Sequence, residues 1–365
     1  MSGRPWGRTD RLVLAALVVL PAVLFLVPLA FGHVMLPGDD LTQNYPLRVL
    51  SGRDVRHGLL PLWDPFEWSG TPLLGGFNAG SIYPATLLFS FLPASLAWGL
   101  GQTATYALAG TGMLLFLRRR GLATVAAGLG ALVFTWSGFM AAQLPHTGLV
   151  EGMSWAPWIL LALDHLALDH PAAGGRRRLA WVGVLGLAGG LVSLGGDPRA
   201  VSDVAIVVVL YAGWLVWRCP RAERPAVAGW ILVGAVVAGL VGAGQLLPGL
   251  ALQAGSQRSG SSYDSFVAGS LAPPLLLLEA FPFVLGGFAS VRLPPYTGDY
   301  NLPEVSGYLG LLALAGALVV AFSWRRRSDD APSGAGIWVL MAAGGIVLDL
   351  GRYTPLARLL VHVPL

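Results

Sequence analysis

The sequence contains no lysine; all 23 of its basic residues are arginine, and charged residues of either sign make up only 12% of the chain. A soluble chain needs about a quarter of its residues charged to cover its surface. Polar stripes at helical spacing, the mark of a soluble helical protein, are also largely missing. The only cysteine, Cys219, excludes an intramolecular disulfide. Walker, Rossmann, HExxH and Cys/His zinc patterns are absent, so substrate and energy must come from something already at the membrane. The net charge of +4 and a pI near 9.5 suit a nucleic-acid binder in sign alone. The arginines stand in short clusters between apolar runs, which is the wrong distribution for that function.

What is present is apolar length. Hydrophobic residues make up 55% of the chain and mean hydropathy is +0.66. Runs of about 20 apolar residues recur, each long enough for a bilayer core of about 30 Å. Fifteen arginines fall in five clusters: Arg4/Arg8/Arg11, Arg118/Arg119/Arg120, Arg176/Arg177/Arg178, Arg218/Arg221/Arg224 and Arg325/Arg326/Arg327. Spans are expected near 11–32, 99–117, 122–142, 148–168, 179–194, 200–217, 226–246, 305–323 and 334–350. Placing every cluster in the cytoplasm gives one consistent alternation of nine spans, N-terminus inside and C-terminus outside. The first run lacks a small-x-small cleavage site and reads as an uncleaved anchor. The expected fold is an all-α polytopic membrane protein with a single membrane domain over 1–365.

Two apolar stretches do not fit as spans. Residues 82–97 are interrupted by Pro84 and Pro93, and residues 273–290 carry Pro273, Pro274, Pro282, Gly286 and Gly287. Both read as interfacial or re-entrant helices on the outer side. They belong to a first extracytoplasmic loop (33–98) and a second large one (247–304). Of the 19 Asp and Glu, 13 fall at or near this outer side. Both loops are rich in Trp, Tyr, Pro and Gly, which favours folded structure over disorder.

The segment Gly38-Asp39-Asp40-Leu41-Thr42-Gln43-Asn44-Tyr45-Pro46 directly follows the first span. Adjacent carboxylates at a membrane surface are expensive unless hydrated, paired or cation-bound. Such neighbours can raise one another's pKa, which suits a general base; the structural alternative is a helix N-cap. Further along, Arg48, Arg53, Arg56 and His57 precede a proline-fixed turn with Trp63 and Trp68, either an interfacial belt or a stacking platform. Asn78 and Tyr83 open the next helix, where packing is the default. His146, Glu151, Asp197, Arg199, Arg258, Asp264 and Glu304 bring polar groups to other outer termini. Arginine suits a phosphate through its planar donors, and paired carboxylates can hold a hard cation.

These residues carry a resemblance. Asp40…Asn44-Tyr45-Pro46 with Arg48, Gly58-Leu59-Leu60-Pro61-Leu62-Trp63-Asp64-Pro65, Gly70-Thr71-Pro72-Leu73 and Tyr83-Pro84 look like the first outer loop of YfhO-type bacterial membrane proteins. Ala156-Pro157-Trp158, Gly195-Gly196-Asp197-Pro198-Arg199, Gln245-Leu246-Leu247-Pro248, Tyr263-Asp264-Ser265-Phe266, Glu304 with Gly307-Tyr308-Leu309-Gly310, and Gly351-Arg352-Tyr353-Thr354-Pro355 resemble its later landmarks. That family belongs with the GT-C membrane glycosyltransferases.

The resemblance implies a transferase in the bacterial plasma membrane with an extracytoplasmic active site. It would move a sugar from a polyprenyl-phosphate donor to an outer-leaflet or cell-envelope acceptor, with inversion. Asp39 and Asp40 match the family's catalytic position. Substrate contacts are expected from Tyr45, Arg48, Trp63, His146, Glu151, Asp197, Arg199, Arg258, Asp264 and Glu304. A divalent cation (Mg2+ or Mn2+) held at Asp40 is a possible cofactor of such a site. Family members continue beyond the Gly-Arg-Tyr-Thr-Pro stretch, whereas this sequence stops at Leu365, so a shortened version is implied. A lipid or sugar transporter and a non-catalytic relative are the alternative readings.

Overall fold

The computed structural model describes residues 6–169, 175–256, 262–288, 292–323 and 334–361. Helices account for nearly all of its regular structure, as expected where apolar runs leave the backbone no partner but itself. The long helices are α1 (Arg8–Ala30), α4 (Ala94–Arg119), α7 (Thr147–Leu168), α8 (Gly175–Leu194), α9 (Pro198–Arg218) and α10 (Arg224–Ala254). Shorter ones are α2 (Tyr45–Arg56), α3 (Pro84–Leu87), α5 (Thr124–Thr135), α6 (Gly138–Ala142), α11 (Tyr263–Phe266), α12 (Leu311–Ser323), α13 (Ala335–Asp349) and α14 (Ala357–Leu360). Among the described residues the only sheet is a hairpin, β1 (Trp63–Asp64) with β2 (Thr71–Pro72), antiparallel with Trp63 opposite Pro72.

Helices occupy all nine expected places, but not all meet the demands of a span. Among the described residues, five are long and apolar enough to cross a membrane: α1, α5 with α6, α8, α9 and α10. Helices α4 and α7, at 26 and 22 residues, have the length, but Gln102, Thr105, Glu151 and Asp164 dilute their apolar character. Helices α12 and α13 hold only 13 and 15 residues, or about 20 and 23 Å of rise, less than the hydrocarbon core. Ser137 interrupts the third run by capping α6 through its hydroxyl, which accepts from Met140 N at 3.2 Å. The two proline-broken stretches form less helix than expected. In the first, α3 and the 3-10 turn Leu88–Ser90 are followed by the first turn of α4. In the second, the 3-10 helix Pro273–Glu279 is the only helix among the described residues.

The chain divides into two compact units, residues 1–132 with 144–256, and residues 133–143 with 257–365. In the first, α7 is the central post, with most of its side chains buried. It packs against α4, α8 and α9, while α1 lies on α4 and α8 on α10. The arginine-bearing helix ends meet at one end of this unit. Arg118 Nε lies 3.0 Å from Asp10 Oδ1, Arg119 pairs with Asp169, and Arg120 Nη1 is 3.6 Å from Asp164 Oδ2. Tyr211 donates to Asp164 at 2.6 Å, and His165 stacks on Trp181 at 3.8 Å. One arginine triplet therefore ties α4 to α1 and α7 and, through Asp164 and Tyr211, to α9.

The second unit is held by smaller contacts. Leu275, Leu278 and Leu302 form its buried cluster. Gln143 Nε2 donates to Pro303 O at 2.9 Å, and Arg352 Nη2 donates to Val267 O at 3.1 Å.

Candidate functional site

The opposite end of the first unit, where α1 and α8 finish and α7 and α9 begin, holds the polar cleft. Its first wall is the Asp-Asp segment. Pro37 and Gly38, the latter at φ +51°, turn the chain out of α1's direction, and a single wide turn over Asp40–Asn44 leads into α2. Consecutive helical residues point about 100° apart, so the two carboxylates diverge. Asp39 is 59% exposed and its Oδ2 lies 3.7 Å from His146 Nε2. Asp40 is fully buried.

Asp40 sits at the centre of a buried network. Its Oδ1 accepts from Thr147 Oγ1 at 2.6 Å and from Asn44 Nδ2 at 2.8 Å. Asn44 also donates to Pro145 O at 2.9 Å, and Gln102 Nε2 donates to Thr147 at 3.2 Å. Asp40 Oδ2 is buried with no protein hydrogen-bond partner. Burial pushes this carboxyl up to about 6, against the opposing pull of the Thr147 and Asn44 hydrogen bonds and the Arg48 charge.

Two helical turns on from Asp40, Arg48 reaches Glu151 of α7 with both amino groups, Nη1 to Oε1 at 2.7 Å and Nη2 to Oε2 at 2.6 Å. The two side chains are 2% and 1% exposed. This bidentate pair pins α2 onto α7 and leaves neither group accessible to a ligand.

The second wall is the turn between α8 and α9. Asp197 caps α9, its Oδ1 accepting from Arg199 N at 2.9 Å, and clasps the Arg199 side chain, Nη2 to Oδ2 at 2.8 Å. Gly196 takes φ +85°, and a Cβ there would lie 2.4 Å from Phe77 O; a Cβ on Gly148 would lie 2.6 Å from Gly195 O. Only glycine permits these two close approaches. The result is a cleft of about 170 Å³ lined by Asp39, Gln43, Asn44, Asn78, His146, Gly148, Gly196, Asp197 and Arg199. The N-terminal ends of α7 and α9 bring partial positive charge to it.

Four expected site residues are thus brought together: Asp39, His146, Asp197 and Arg199. Asp40, Arg48 and Glu151 stand behind them as a buried support. Tyr45 instead packs edge-on against Phe89 and Trp98, with centroids at 6.0 and 5.5 Å. Trp63 lies on the hairpin over Gly70 and does not line the cleft. Asp264 is exposed on α11, and Glu304 is 3.5 Å from Gln143 Nε2; both belong to the second unit. Arg258 lies outside the described residues. The cleft also uses Gln43, Asn44, Asn78, Gly148 and Gly196, with Thr147 and Gln102 beneath. The glycines were legible as turn residues; Asn78 was expected to pack at a helix start but lines the cleft ahead of that helix, and nothing in the sequence marked Gln102.

Asp40 does not line the cleft, both of its hydrogen bonds are to Oδ1, and Asp197 is clasped by Arg199. Among the described residues no three His, Cys, Asp or Glu converge as a ligand set. No protein-family model, curated protein or solved structure matches the chain.

Proposed function

We propose that this chain is a GT-C-type membrane glycosyltransferase of the YfhO-like group, embedded through nine spans with the cleft facing the extracytoplasmic side. It takes a sugar from a polyprenyl-phosphate donor and passes it to a hydroxyl of a cell-envelope acceptor. The observation that carries this reading is the cleft itself. An exposed carboxylate beside an imidazole, and a guanidinium across from them, gather at one end of an apolar helical unit. Lipid-linked substrates present their polar heads at that level.

The reaction written on these residues is an inverting displacement. The acceptor oxygen attacks the anomeric carbon, the bond from that carbon to the phosphate oxygen breaks, and phosphate departs on its lipid. The acceptor proton passes to the Asp39 carboxylate, the one member of the Asp pair that reaches the cleft. Arg199, held in orientation by Asp197, faces the charge that develops on the phosphate. Asp40 is a positioning residue. Through Asn44 and Thr147 it fixes the turn that carries Asp39 and the start of α7 that carries His146. No step calls on a cation.

The test is transfer of labelled sugar from a polyprenyl-phosphate donor in membranes containing the full chain. Asp39→Asn is expected to lower transfer by about 100-fold or more, the scale of a lost general base, with membrane insertion unchanged. Full transfer by that variant sinks the assignment of Asp39.

A further inference from the structure

The hairpin between α2 and α3 is built in an unusual way for a surface turn. Leu59, Leu60, Leu62, Trp63, Phe66 and Trp68 are all exposed, Trp68 to 90%. Pro61 and Asp64 point the other way and are buried, and Asp64 Oδ1 accepts from Phe66 N at 2.8 Å to hold the turn. Trp68 and Ser69 both take left-handed backbone, at φ +50° and +65°. Bulky residues avoid that region unless the surroundings enforce it. Directly after them, Trp63 lies so close over Gly70 that a Cβ there would be 2.3 Å from its ring. The turn spends strain on pointing large apolar side chains outward.

The depth of this hairpin follows from where its base is tied. Leu73 is buried with Leu47, Leu50 and Ala79. Leu74 O accepts from Gln245 Nε2 at 2.6 Å, Gly75 abuts Pro248 O, and the Phe77 ring rests against Gly249. All three anchors are on α10. Gly249 stands 25 residues past Arg224, a rise of about 37 Å. That exceeds the hydrocarbon core of about 30 Å and falls within the 40–45 Å that includes the headgroups. With Arg224 at one polar boundary, the anchors lie at the other. Exposed Leu247 and Leu250 of α10 continue the apolar surface up to that level. Exposed Arg53 flanks the hairpin, its guanidinium 5.7 Å from the Phe66 ring centre, while Arg56 beside it donates to Ser90 O and Phe89 O.

We infer that residues 59–70 form an interfacial lipid-binding element that beds into the headgroup and upper acyl region of the leaflet at the cleft end. Aromatic and leucine side chains enter the boundary, where amphipathic rings are favoured, and Arg53 meets lipid phosphates. This role needs only the membrane; it stands whether or not the cleft transfers sugar.

The test uses the full chain with Cys219→Ser in lipid nanodiscs. Single cysteines at Trp68→Cys, at Leu240→Cys on the exposed mid-span face of α10, and at Arg221→Cys in an arginine cluster carry an environment-sensitive fluorophore. At position 68, lipids brominated near the headgroup end of the acyl chain are expected to quench at least about twice as strongly as lipids brominated near the tail end, with iodide protection relative to position 221. Position 240 is expected to show the reverse depth order. Iodide quenching at 68 equal to that at 221, with no quenching by brominated lipid, overturns the inference. So does protection from both quenchers, which marks a face held by protein. If Trp68→Cys fails to fold, Leu60→Cys is read in the same way.

Discussion

At the scale of single residues, the divergence of Asp39 and Asp40 decides which chemistry each can perform. Asp39 keeps water and the cleft; Asp40 exchanges water for two donors on one oxygen and none on the other. The consequence for stability has a definite sign. With its pKa raised from 3.8 to about 6, folded Asp40 holds its proton more tightly than the unfolded chain does. Its contribution is therefore full below about pH 4 and is lost as pH rises through about 6, a loss of about 3 kcal/mol at one pKa unit per 1.36 kcal/mol. Asp40→Asn removes this titration. Thermal unfolding in detergent across pH 4 to 8 is expected to show the variant gaining on the parent as pH rises through this window. Parallel curves would refute the buried, raised carboxyl.

Arg48 and Glu151 make a second prediction at this scale. Removing one member of a buried ion pair strands the other charge, at about 3–5 kcal/mol, whereas replacing both with apolar groups of similar size is often neutral. Glu151→Ala is expected to lower the unfolding midpoint far more than the double change Glu151→Leu with Arg48→Met. Equal losses would mean that volume, not charge, holds α2 to α7.

Among elements, the contact of α8 with α10 is set by missing side chains. Gly186 and Gly190 lie four apart on α8, and a Cβ on either would come within 2.4 Å of Val237 or Val241 on α10. In reply, a Cβ on Gly234 would meet Leu185 at 2.5 Å. Valine is branched at Cβ and cannot swing aside, so close approach depends on these glycines, as in small-residue interfaces between apolar helices. Gly190→Leu is expected to destabilise by about 1–3 kcal/mol or more through overpacking. Gly183→Leu, on an open face of the same helix, is expected to be silent. Thermal unfolding of the two variants checks the contrast, and equal behaviour would remove the packing role.

For the whole molecule, the arginine triplet of α4 and the polar cleft occupy opposite ends of the first unit, so α1, α4, α7, α8 and α9 run alternately between them. The proposed arginine-inside orientation turns the cleft outward. Thr42 is exposed beside it. In a Cys219→Ser background, Thr42→Cys is expected to react with an impermeant thiol reagent added to intact cells. Reaction only after lysis would invert the orientation.

Much of this frame was legible from the chain. Arginine spacing marked the helix ends, because charge is excluded from an apolar core whatever the packing around it. Prolines and glycines marked the breaks, because a missing N–H or a left-handed φ is a local property. The Asp-Asp segment and the Gly-Gly-Asp-Pro-Arg turn stood out for the same reason. Tertiary structure alone decided which carboxylate faces the cleft, that Arg48 belongs to Glu151 rather than to a ligand, and that Asn78 joins His146 and Arg199. Those relations join positions 53 to 121 residues apart in sequence, and only packed helices bring them within reach of one another. Burial, which raises Asp40 and conceals Arg48, is likewise conferred by neighbours rather than by the residue that experiences it.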